Sequence, residues 1–129
     1  MTKRTLAFRV LLVVYLLVIA YICFASQGGL PTFDDWRFAI PADKVVHFTM
    51  FLPFPVLLFH SMEKHRNWHL ILVVVVGCAL AAATELIQAL IPYSAADLTD
   101  FLADSLGLLC GTLFLWIFCL FSVRRRETR

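Results

Sequence analysis

Charge is scarce in this chain. Lys and Arg number 11 and Asp and Glu nine, so 16% of the 129 residues are charged, against about 25% in an ordinary soluble domain. A water-facing globular surface is not built from so few charges. Glycine and proline are sparse too, at five each, which excludes a collagenous repeat or a Pro/Gly-rich linker. The cysteines are only four, Cys23, Cys78, Cys110 and Cys119, all inside apolar runs and none in a C-x-x-C spacing. Zinc-ribbon and dithiol redox motifs are thereby excluded, and the four read as small buried hydrophobes. The basic residues do not interleave with aromatics along a surface, so a nucleic-acid site is not expected.

What is abundant is hydrocarbon. Hydrophobic residues make up 61% of the chain and the mean hydropathy is +0.85. Apolar runs cover Leu6–Ala25, Val45–His60, Leu70–Ile91 and Phe101–Val123; the first, third and fourth have 20, 22 and 23 residues. At 1.5 Å per residue each of these crosses a hydrocarbon layer of about 30 Å. The second run has 16 residues and carries Pro53 and Pro55; proline is tolerated in membrane helices whose neighbours satisfy the freed carbonyls. The expected fold is an all-α bundle of four transmembrane helices, in one domain over residues 1–129. The first run starts with Lys3 and Arg4 like a signal peptide, but Cys23-Phe24-Ala25 is a poor cleavage site, so the helix is expected to be retained.

Nine of the 11 basic residues, Lys3, Arg4, Arg9, Lys64, Arg66, Arg124, Arg125, Arg126 and Arg129, fall on one side of such a bundle; only Arg37 and Lys44 fall on the other. The positive-inside rule then puts both termini and the 60s loop in the cytoplasm. The terminal arginines read as an anchor on anionic lipid. Segments Ser26–Lys44 and Pro92–Asp100 face outward, and Phe33, Trp36 and Phe38 suit the headgroup layer. In the inner loop His60, His65 and His69 include a one-turn pair, but no further ligand of good type is fixed nearby. No metal site and no cofactor are expected anywhere in the chain.

Apart from Arg9, which can snorkel to the cytoplasmic surface, the costly residues all map to the outward half. By helical rise Glu85 lies about 9 Å and Gln88 about 4.5 Å below the outer end of the third span. Asp104 and His47 lie just inside the fourth and second spans, and Asp43, Lys44, Asp97 and Asp100 lie at the boundary. Gly77, Ala81, Glu85 and Gln88 share one stripe of the third span; Asp100, Asp104, Gly107 and Gly111 share one of the fourth. The simplest packing sets these stripes face to face, small residues closing the bundle and carboxylates lining a pocket. An ionised carboxylate facing lipid costs about 2–3.5 kcal/mol at mid-bilayer, so such groups turn inward and mark sites. Asp43, Asp97 and the Ser94-x-x-Asp97 stretch also have the position of helix caps. Gln88 also has the character of an interhelical hydrogen-bonding residue.

The stretches DKVVHF (Asp43–Phe48), ELIQALIP (Glu85–Pro92) and DLTDFLADSLGLLCG (Asp97–Gly111) resemble the VanZ-like membrane proteins over about residues 43–111. Two positions depart from that pattern: Ser94 stands where the family usually has Arg, and Asp104 where it usually has Asn. With Asp104 ionised, the site is more acidic than in its relatives. The resemblance implies the bacterial cytoplasmic (inner) membrane, the cell envelope, and a context like glycopeptide (teicoplanin) resistance; it names no reaction. On this reading Asp43, Lys44, His47, Glu85, Gln88, Asp97, Asp100 and Asp104 bind an envelope lipid, a lipid-linked precursor or a lipophilic glycopeptide. A second reading is a hydrolase or transferase, with His47 as general base oriented by Asp43, Glu85 as acid, and Asp104 a further catalytic candidate. A third is proton-coupled transport through Glu85 and Asp104, against which stands the lack of a polar pathway in the inner halves of the third and fourth spans.

Overall fold

The computed structural model describes residues 2–24, 39–64, 66, 68–92 and 97–127, the segment 123–127 for its backbone alone. The interfacial aromatics Phe33, Trp36 and Phe38, the loop histidine His65, Ser94 with its capping stretch, and the side chains of the terminal arginines lie outside the described residues.

Among the described residues five helices follow in order: α1 (Lys3–Phe24), α2 (Ala42–Phe51), α3 (Phe54–Ser61), α4 (Trp68–Leu90) and α5 (Leu98–Glu127). Among the described residues there is no strand. Four segments are long and apolar enough to cross a membrane: Lys3–Phe24, Ala42–Ser61, Trp68–Leu90 and Leu98–Ser122. The second of these is α2 and α3 together. Proline explains its break, because Pro53 and Pro55 lack the N–H groups that would continue the ladder. Helical bonding closes on either side, from Leu52 N–H to Phe48 O at 3.2 Å and from Leu57 N–H to Pro53 O at 3.2 Å. The chain is therefore the expected all-α, four-span bundle, with one span in two pieces.

The interior is narrow. Phe51, Phe54, Val73, Ala81, Leu108 and Leu115 are buried, while Leu11, Val13 and Leu17 of α1 and Phe114, Phe118 and Phe121 of α5 are exposed. Such a surface suits lipid, where apolar side chains have no reason to withdraw. Helix association then depends on close packing rather than on the hydrophobic effect. Along α4 and α5, away from the polar residues, an open apolar groove of about 410 Å³ is lined by Leu70, Val74, Leu109, Thr112, Leu113 and Trp116.

Close packing here corrects the expected facing stripes. Helix α5 packs most extensively on α2, then on α4, while α1 rests on α3. Gly107 and Gly111 do not meet the small residues of α4. A side chain at Gly107 would run into the backbone carbonyl of Phe48, and one at Gly111 into that of Leu52. Glycine there lets two backbones touch, in the direction of a Cα–H···O contact. Gly77 on α4 instead faces the flexible side chain of Leu108. At the other end of the bundle Arg9 reaches the end of α3: its Nε donates to Ser61 O at 3.1 Å, and its guanidinium lies 4.0 Å from Glu63.

The glycines predict graded sensitivity. Gly107→Ala and Gly111→Ala push rigid backbones apart and lower stability by about 1–3 kcal/mol, the usual cost of overpacking. Gly77→Ala meets only a movable leucine and costs less. Unfolding of the purified variants in mixed micelles gives this order.

Candidate functional site

The N-terminal turns of α2 and α5 and the C-terminal turns of α4 end at the same side of the bundle, and the polar residues concentrate there. Pro41 precedes α2 without a side-chain cap, and the first turn of α2 carries Asp43 and Lys44. The Lys44 ammonium has three N–H donors and meets three carboxylates: Asp43 Oδ2 at 3.0 Å, Asp97 Oδ2 at 2.9 Å, and Asp100 Oδ1 in a close ion pair. Its donors are thus taken up within the protein.

One turn further along α2, His47 points into the bundle. Its Nδ1 lies 2.9 Å from Asp104 Oδ1 and its Nε2 lies 3.8 Å from Asp100 Oδ2. The first spacing is that of a ring N–H donating to a carboxylate. Asp104 is completely buried. The imidazole is therefore oriented from α5, not by Asp43 one turn back on its own helix, which is occupied by Lys44. Asp97 does two jobs. Its Oδ1 accepts the Thr99 N–H at 2.9 Å, capping α5, while Oδ2 holds Lys44. Capping and the charged network are thus both present in one side chain.

From α4, Glu85 is 9% exposed and its Oε2 accepts the Asp97 backbone N–H at 3.2 Å. One donor atom each from His47, Glu85 and Asp100 lie within 4.8 Å of one another. Gln88, one turn on, is drawn elsewhere: its Nε2 donates to Cys23 O at 3.2 Å, tying α4 to the end of α1. Among the described residues the buried atoms Glu85 Oε1, Gln88 Oε1, Asp104 Oδ2, Ser105 Oγ and Tyr15 Oη have no hydrogen-bond partner. Tyr15 on α1 was not singled out by sequence, because a tyrosine in an apolar helix that also carries Tyr21 has no positional signal.

His60 and His69, at the other end of the bundle, have other occupations. His60 Nδ1 donates to Val56 O at 2.8 Å and its ring stacks on Phe8 with centroids 5.0 Å apart. His69 Nδ1 accepts the Arg66 N–H at 2.9 Å, just before α4.

Chemically, the cluster sets five carboxylates, Asp43, Glu85, Asp97, Asp100 and Asp104, around one ammonium and one imidazole. Removing a partner from a buried ion pair typically costs about 3–5 kcal/mol, since the remaining charge is uncompensated. Lys44→Met is expected to fall near the lower end, and Asp100→Asn in that background to recover part of the loss, as measured by a double-mutant unfolding cycle. Asp97 provides the pH readout. Its carboxyl is pushed from 3.8 down to about 2, first by the Thr99 N–H it accepts and then by Lys44. A lowered folded-state value stabilises above the ordinary one, so its contribution is complete above 3.8 and is lost as pH falls towards about 2. Carboxyl NMR should show its midpoint rise only partway in Lys44→Met, because the Thr99 bond remains.

A family model, VanZ/LLP1, matches residues 10–120. No curated protein and no solved structure matches the chain. The family match takes in the whole cluster from Asp43 to Asp104, and the chain belongs to the VanZ/LLP1 family.

Proposed function

We propose that this is a bacterial cell-envelope protein, a single domain in the cytoplasmic membrane, whose polar cluster binds an envelope lipid, a lipid-linked precursor or a lipophilic glycopeptide. The context is one resembling glycopeptide (teicoplanin) resistance. Nine of the 11 basic residues favour an orientation with both termini cytoplasmic. In that orientation Lys44, His47, Glu85, Asp100 and Asp104 belong to the outer half of the membrane, where such a ligand resides.

The observation that carries the reading is the set of buried acceptors without donors, Glu85 Oε1, Gln88 Oε1 and Asp104 Oδ2. Acceptors left dry cost free energy until a donor arrives. Lys44 is already engaged by three carboxylates, so a bare phosphate finds no free ammonium. The ligand chemistry this favours is a headgroup or sugar rich in N–H and O–H donors.

The second reading, catalysis on a lipid-linked substrate, draws support from one contact. Asp104 behind His47 at 2.9 Å is the arrangement that orients an imidazole to take a proton from water. The cluster of charged residues contains no Ser or Cys nucleophile, so water would be the attacking group.

Native mass spectrometry of the purified protein separates these. Binding predicts one co-purifying envelope lipid per chain, lost in a folded Glu85→Ala variant. Catalysis predicts conversion of an added lipid-linked substrate, lost in His47→Ala. Identical bulk-lipid profiles for wild type and Glu85→Ala would overturn the binding reading.

A further inference from the structure

His47, Glu85 and Asp100 come from three separate helices, yet each has one atom committed to a neighbour and one left over. His47 Nδ1 faces Asp104 Oδ1 at 2.9 Å, leaving Nε2. Asp100 Oδ1 holds Lys44, while its Oδ2 lies 3.8 Å from His47 Nε2. Glu85 Oε2 accepts the Asp97 N–H, leaving Oε1 buried and without a partner. One donor atom from each of the three lies within 4.8 Å of the others. Donors bound to a single first-row metal ion sit about 2.0–2.2 Å from it, which places any two at most about 4.4 Å apart. At up to 4.8 Å the set is slightly wider than that, so a bound ion would draw the three donors together.

We propose that His47, Glu85 and Asp100 form a site for a first-row divalent cation, with Zn²⁺ as the natural probe. One imidazole and two carboxylates are a donor set that suits such ions. A buried carboxylate behind a ligating imidazole fixes its tautomer and raises its basicity, and Asp104 occupies that position. Three protein donors leave at least one coordination position to water or to an oxygen of a ligand. The charge balance agrees: Glu85, Asp100 and Asp104 are buried carboxylates beside the single ammonium of Lys44, and a dication offsets their excess. His69, which sequence spacing brought forward, is not part of this set, which only tertiary structure assembles. The inference shares Glu85 Oε1 with the lipid-binding reading and leaves Gln88 Oε1 and Asp104 Oδ2 to a ligand's donors; the two are told apart because metal uptake is measured without any lipid ligand.

The test uses the full chain, purified in detergent, stripped with chelator and titrated with Zn²⁺ by calorimetry, with bound metal counted after desalting. One ion per chain is expected. Glu85→Gln and His47→Gln should abolish stoichiometric binding, and Asp104→Asn should weaken it by about 10–100-fold. His60→Gln and His69→Gln should bind as the wild type does. X-ray absorption of the wild-type complex covers the case in which cluster variants do not fold: it should show oxygen and nitrogen donors with a single imidazole and no sulfur. Absence of stoichiometric Zn²⁺, sulfur or multiple-imidazole ligation, or loss of binding in the His60 or His69 variants would overturn the site.

Discussion

A charged group inside a membrane must be matched by another, and the Lys44 ammonium is where this protein meets that constraint. It takes Asp43 from its own helix and Asp97 and Asp100 from the start of α5. The other acids arrange themselves around that anchor. Asp100 turns its second oxygen towards His47, His47 is held from behind by Asp104, and Asp97 offers its backbone N–H to Glu85. The network therefore joins α2, α4 and α5 through side chains at one end of the bundle.

The glycines of α5 make that network reachable. Lysine, histidine and aspartate span the gap between α2 and α5 only because Gly107 and Gly111 bring the α5 backbone onto the carbonyls of Phe48 and Leu52. Hydrocarbon surroundings supply no drive for helices to associate beyond packing and polar contacts. Backbone contact at one level and ion pairing one or two turns above thus act together. The break at Leu52 and Pro53 lies at the level of the Gly111 contact, which lets α2 and α3 follow different neighbours: α2 lies on α5, and α3 lies against α1.

Much of this was legible in the sequence, for physical reasons. Twenty or so consecutive apolar residues have few fates other than crossing a membrane, so three of the four spans follow from run length alone, and the 16-residue second follows from the tolerance of membrane helices for proline. Intramembrane acids are expensive enough that Glu85 and Asp104 announce an inward-facing site. What sequence does not contain is the identity of the neighbour. The small-residue stripe of α5 was legible as a contact face but not as one for α2. Asp43 has the spacing to orient His47, yet Lys44 beside it competes successfully, and Asp104, 57 residues away, takes the imidazole. Gln88 shares a stripe with Glu85 but finds the Cys23 carbonyl first. Tyr15 gave no signal at all. Asp97 shows why a choice between cap and network was unnecessary: a carboxylate has two oxygens, and each serves one purpose.

The central claim is that side chains from separate membrane segments converge, and the His47–Asp104 contact is its most specific element. Solid-state NMR on the protein in lipid bilayers, with selectively labelled imidazole nitrogen and aspartate carboxyl carbon, measures that separation directly. The account predicts strong rotational-echo dephasing between His47 Nδ1 and the Asp104 carboxyl carbon, as hydrogen-bond distance requires. Absence of dephasing in folded protein would contradict it.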